Sequence, residues 1–108
     1  MADDQFSSEG MVKLLGFHEM DEAAIEDVKL IAGKRLKRFS ELCSGFEQVV
    51  LHLKKVHAQQ HSEKYEIHAR LTAKGTTYTS TTTDFNLMVA VEQVIARIES
   101  EVSKTRTA

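Results

Sequence analysis

The sequence predicts an α+β domain of order β-α-β-β-β-α, a four-stranded sheet with two helices packed on one face. Three observations carry that prediction. Residues 48–57 (QVVLHLKKVH) and 64–72 (KYEIHARLT) alternate polar and apolar positions, which is the period of a half-buried strand. A Thr-rich run over 76–84 (TTYTSTTTD) follows the second of these after a turn containing Gly75. Two further segments, one on each side of these strands, space their apolar residues by three and four, as amphipathic helices do. Such a sheet has one face covered by helices and one face bare. The bare face here is expected to carry Lys, Arg and His.

The elements follow in order. Residues 1–9 are polar and read as a flexible N-terminal tail, leaving 10–105 as a single domain. Residues 10–17 (GMVKLLGF) form an apolar run of strand length. The next segment, from His18 to Leu42, reads as a helix. Asp21 is its expected N-cap, and Glu22, Glu26 and Asp27 place negative charge near the positive end of the dipole. Ile25, Val28, Ala32, Leu36 and Phe39 make its apolar stripe. Gly33 sits inside this helix, where it costs about 1 kcal/mol against Ala unless close packing on the sheet requires it. Ser44 and Gly45 offer the stop signal.

In the second strand Val49, Leu51 and Leu53 point one way, and Val50, His52 and Lys54 the other. Residues 58–63 are a loop. In the third strand Tyr65, Ile67, Ala69 and Leu71 alternate with Lys64, Glu66, His68 and Arg70. Ala73 to Gly75 reads as a tight hairpin turn. The fourth strand is rich in β-branched Thr, which suits a half-exposed sheet. Asp84 is the expected N-cap of the last helix, whose stripe is Met88, Val91, Ile95, Ile98 and Val102.

Bulk properties bound the function. At 108 residues the chain is one domain, and 42% hydrophobic with 28% charged residues is a globular composition. The net charge of -2 gives no global basic excess and argues against non-specific DNA binding, but 14 Lys and Arg leave room for a local basic patch. Cys43 has no partner for an internal disulfide, so a reducing, cytoplasmic setting is expected, with Cys43 as a small apolar residue at a helix end. The start MADDQFSSEG lacks the pattern of a signal peptide, and no apolar run is long enough to cross a bilayer.

The histidines (His18, His52, His57, His61 and His68) show no HxH or HxxxH spacing, so no metal site is expected. No nucleophile motif, phosphate-cradling Gly loop or nucleotide fingerprint is present, so no catalytic residue, enzyme activity or cofactor is expected. The basic residues are better organised. Lys34, Lys37 and Arg38 fall opposite the apolar stripe of the first helix, with Arg35 beside them. Lys54, Lys55, Lys64 and Arg70 lie on strands, with His52 and His68 on the outward rows of Lys54 and Arg70. Arg97 and Lys104 share a stripe of the last helix, and Arg106 follows. Phosphate contacts from several elements are what recognition of RNA by shape uses. Tyr65 points to the core, so base stacking is not expected. The alternative is a protein-interaction module that uses the open sheet face or its edge.

The chain resembles the ribosome hibernation promoting factor and ribosome-associated inhibitor family from about Met11 to Lys104. The likeness rests on VVLHLKKVH followed by KYEIHARLTAKGTTYTSTTTD, on TDFNLMVAVEQVIARIESEVSK, and on an upstream helix ending in KRLKRF. Asp84, Met88, Ala90, Val91, Arg97, Glu99 and Lys104 stand where that pattern places comparable residues. The last helix departs from the family in carrying Ala96, Ser100 and Ser103 where charged residues are common. The resemblance implies that residues 10–105 form a ribosome-associated inhibitor-like domain similar in topology to double-stranded-RNA-binding domains. It implies a hibernation factor acting in the stress response, which binds the small ribosomal subunit and its ribosomal RNA and occludes the decoding channel. The residues implied are Lys34, Arg35, Lys37, Arg38, Arg97 and Lys104, to which the strand residues Lys54 and Arg70 add on their exposed positions. With the chain ending at Ala108, a short, monomeric form is implied, without the dimerisation domain of longer members.

Overall fold

From residue 12 onward the chain takes the predicted order. The computed structural model describes residues 5–8, 12–18, 20–42, 45–59 and 62–107. Its elements are β1 (Gln5–Ser8), β2 (Val12–Leu15), α1 (Glu22–Leu42), β3 (Phe46–Gln59), β4 (Ser62–Ala73), β5 (Thr76–Asp84) and α2 (Leu87–Thr107). The strands form one sheet in the order β1-β2-β3-β4-β5. β2 and β3 are parallel, joined by the α1 crossover, and the other neighbours are antiparallel.

The strand β1 adds a fifth strand to the four-stranded sheet expected from the sequence. Gln5–Ser8 pairs with β2, Phe6 opposite Leu14 and Ser8 opposite Val12. An uncovered β2 would leave a row of backbone donors and acceptors at the sheet edge, and the chain just upstream is close enough to fill it. QFSS alone lacks the apolar alternation that marks a strand, so only the neighbouring edge reveals it. Cys43, Ser44 and His61 lie outside the described residues, as do the side chains of Leu36, His57 and Arg106.

The alternation on β3 and β4 is borne out. Val49, Leu51, Leu53, Ile67, Ala69 and Leu71 are buried, and their neighbours Val50, His52, Lys54, His68 and Arg70 are not. Opposite them lie Ile25, Val28, Ala32 and Phe39 of α1 and Val91, Ile95, Ile98 and Val102 of α2. The α2 stripe is wider than its spacing predicts, because Leu87, Ala90 and Val94 are buried too. α2 lies over β4 and β5, and α1 packs beside α2 and over β2.

Strand β5 is tied to α2 through its hydroxyls. Thr82 Oγ1 donates to the Ala90 carbonyl at 2.8 Å and Ser80 Oγ to that of Val94 at 3.0 Å. Two residues of strand and four of helix both advance by roughly 6–7 Å, so the two donors meet successive helical turns. The inward Ser80 and Thr82 are therefore satisfied within the core layer, and Thr82 is only 4% exposed.

Asp21 caps α1 as expected, its Oδ1 accepting from the Ala24 amide at 2.8 Å. The cap of α2 is Asn86 rather than Asp84. Asn86 Oδ1 accepts from Val89 N at 3.1 Å, while Asp84 Oδ1 accepts from Asn86 N at 2.9 Å and so shapes the turn before the helix. Lys74 and Gly75, both at positive φ, form the two-residue turn between Ala73 and Thr76.

The two glycines flanking and within α1 differ in kind. A Cβ on Gly33 would meet nothing within 4 Å, so close packing does not require Gly there. Gly16, at φ 80°, would drive a Cβ to 2.4 Å from the Leu53 carbonyl oxygen. Gly33→Ala should raise unfolding stability by about 1 kcal/mol in chemical denaturation. Gly16→Ala should lower it by at least about 1–3 kcal/mol, the cost of a strained backbone before the clash is added.

Candidate nucleic-acid interface

The exposed face of the sheet is built in cross-strand rows. Lys13, Val50, Arg70 and Thr79 form one row. Leu15, His52, His68 and Thr81 form the next. Lys54, Glu66 and Thr83 follow, and Val56 opposite Lys64 ends the series. Period-two alternation puts every one of these side chains on the side away from the helices. Lys13, Lys54, Lys64 and Arg70 share this face with His52 and His68, and Glu66 is the carboxylate among them. The bare face therefore carries the cations that the alternation assigned to it. An open depression of about 270 Å³ lies on it, bordered by His52, His68, Arg70, Thr79 and Thr81.

The helices put their cations on the opposite side. Lys34, Lys37 and Arg38 are exposed on α1. The sequence-predicted residues thus divide between two sides of a two-layer molecule, Lys54 and Arg70 on one and the α1 cations on the other. Arg35 is drawn out of the α1 group. Its Nη1 donates to Glu99 Oε1 of α2 at 2.7 Å, with Arg35 31% and Glu99 14% exposed. Arg97 Nη1 reaches the Thr81 backbone carbonyl at 3.1 Å, on the edge strand β5. Lys104 lies 3.8 Å from Glu101. α2 also exposes Glu92 and Glu101, and α1 exposes Glu22, Glu26, Asp27 and Glu41, so both helices are mixed in charge and the α1 cations gather in its second half.

His52 and His68 face each other directly across β3 and β4. His68 Nε2 contacts Glu66 Oε2, and Nδ1 lies 3.2 Å from Thr81 Oγ1. Among the described residues no group of three His, Cys, Asp or Glu side chains is placed to hold a metal ion.

Phe85 is a feature that no sequence pattern singled out. It is 55% exposed, and Lys64 Nζ sits 5.1 Å from its ring centroid. It stands just before the true N-cap, Asn86, where a hydrophobic residue often packs onto the first turn of the helix, yet its ring stays largely exposed.

Arg35 and Lys34 should separate by effect. Glu99 Oε2 is buried without a hydrogen-bond partner among the described residues, so removing Arg35 would strand the whole carboxylate. Arg35→Ala should cost about 2 kcal/mol in urea denaturation. Lys34→Ala should stay within about 0.5 kcal/mol, as exposed substitutions do.

No family model matches the sequence, and no curated protein matches it. Among solved structures the chain is similar to the crystal structure of the N-terminal domain of Protein Y from Thermus thermophilus. The two align at a TM-score of 0.63 and 16% identity, covering 93% of this chain and 99% of that one. What they share is a fold, the α+β arrangement of order β-α-β-β-β-α.

Proposed function

We propose that this protein binds the ribosome and restrains translation by occupying the decoding channel of the small subunit, gripping ribosomal RNA through basic side chains. The observation that carries the reading is the placement of cations on two opposite sides of a small domain measuring 45 × 30 × 21 Å. A protein docked on an open RNA surface uses one side. A protein lodged in a channel walled by RNA meets phosphates on both. Lys13, Lys54 and Arg70 would face one wall, and Lys34, Lys37 and Arg38 the other. The fold shared with the Protein Y N-terminal domain agrees with the resemblance to the hibernation family. The mechanism needs no catalysis: occupancy alone excludes messenger and transfer RNA, and release restores translation.

The net charge of -2 gives this reading a specific energetic form. Attraction must come from local phosphate contacts, each releasing counterions, so affinity falls steeply with salt. In sucrose gradients the protein should travel with small subunits or whole ribosomes at low salt and return to the top at high salt. Reversing Lys54 and Arg70, or separately Lys34, Lys37 and Arg38, should each weaken binding and lower the salt slope by roughly one unit for each phosphate no longer neutralised. Recovery only at the top of the gradient at low salt, in growth and in starvation alike, rejects the reading and directs attention to a protein partner. Weakened binding from one set of reversals alone replaces channel occupancy with one-sided docking.

A further inference from the structure

We propose that the open sheet face holds a phosphate-binding site at the His52–His68 pair, whose affinity rises as these imidazoles gain protons. The proposal rests on the RNA reading above for the source of the phosphate, but not for the site itself. The site is the depression of about 270 Å³ bordered by His52, His68, Arg70, Thr79 and Thr81 on its polar side and by Leu15 and Val50 on the other. Arg70 has no ion-pair partner among the described residues. It brings a fixed charge and a forked set of donors to the rim.

The hydrogen bonds of His68 add the switch. The Glu66 carboxylate at Nε2 accepts only, so Nε2 carries the hydrogen. In the neutral ring Nδ1 is then a lone pair, and the Thr81 hydroxyl at 3.2 Å donates to it. Protonation places a hydrogen on Nδ1, and Thr81 Oγ1 becomes the acceptor. The Thr81 hydrogen must then turn away from the ring, which frees it to donate to an anion in the depression. A single proton thus changes the charge at the site and adds a donor there. His52 lies directly opposite, so its ring faces the same depression.

The charged groups around the pair are few. Lys54 lies beside it on β3, Glu66 and Arg70 flank His68 on β4, and Lys13 stands on β2 in the row of Arg70. β5 contributes the uncharged Thr79, Thr81 and Thr83, and Arg97 of α2 reaches the Thr81 backbone carbonyl at the sheet edge. Glu66 is already engaged with His68, so the charge left facing outward is positive.

The ligand class is a phosphate group, carried either on an RNA backbone or on a small phosphate. Two arms separate them, each run at about pH 6 and about pH 8. In the first, inorganic phosphate is titrated while the imidazole resonances of His52 and His68 are followed by NMR. In the second, binding of an RNA duplex is measured for the wild type and for His68→Gln, Thr81→Val and Lys34→Glu. All are exposed or half-exposed positions, and melting curves confirm folding. Phosphate should move both imidazoles at the lower pH. Wild-type RNA affinity should rise roughly fivefold from the higher pH to the lower, the effect of two charges added at partly exposed positions. His68→Gln should lose most of that rise and Thr81→Val part of it. Lys34→Glu should keep the full ratio while binding more weakly throughout. Imidazoles that respond to phosphate in a protein that binds no RNA would support the site with a small phosphate as ligand, and would sink the ribosome reading instead. RNA affinity independent of pH, or equally dependent in His68→Gln, with imidazoles silent to phosphate, overturns the site and leaves the ribosome reading standing.

Discussion

The register of β3 against β4 is the constraint on which the rest of the molecule depends. Val49 faces Leu71, Leu51 faces Ala69 and Leu53 faces Ile67, all buried. Between them His52 faces His68 and Lys54 faces Glu66 on the other side. A slip of one residue would carry the buried set into solvent and the basic set under the helices. The core and the cationic face are therefore one fact about pairing, seen from two sides. No change of register can shift the one without disturbing the other.

That coupling explains why so much of the fold was legible in the sequence. Alternation at 48–57 and 64–72 reports directly on which side chains face the core, and the helical stripes of Ile25, Val28 and Phe39 and of Val91, Ile95 and Ile98 report on what covers them. Legibility stops where structure is decided by neighbours rather than by local pattern. Gln5–Ser8 becomes a strand because β2 offers it an edge. Asn86 takes the cap from Asp84 because Asp84 is spent on the turn before it. The inward hydroxyls of Ser80 and Thr82 read as an exposed strand until the Ala90 and Val94 carbonyls are seen to receive them.

The basic residues were legible only in part, for a related reason. Charge and spacing identify a cation but not its partner. Arg35 lies within the same KRLKR cluster as Lys34 and Lys37, yet Glu99 on α2 takes it as a clasp between the helices. Arg97 looks like a member of an α2 stripe, yet the Thr81 carbonyl on β5 takes it to cover the sheet edge. Guanidinium groups do this work more readily than ammonium groups, because a planar fork can satisfy a fixed acceptor while most of its stem packs along the surface. The described lysines of the same segments, Lys34 and Lys37, stay exposed.

This division bears on how a chain of net charge -2 can address a polyanion. Much of its negative charge lies on the helices, at Glu22, Glu26 and Asp27 where α1 begins and at Glu92, Glu99 and Glu101 along α2. Those at the start of α1 complement its dipole, and Glu99 binds Arg35. The sheet face has no dipole to complement and no helix to hold, so its cations can be outnumbered in the whole chain and still dominate locally. Within a Debye length of about 8 Å at physiological salt, a phosphate at Arg70 responds to that face and not to the acids beyond the core. Overall charge is then a measure of how the helices are stabilised. The local charge of the sheet face is set instead by the outward row of β3 and β4, independently of that sum.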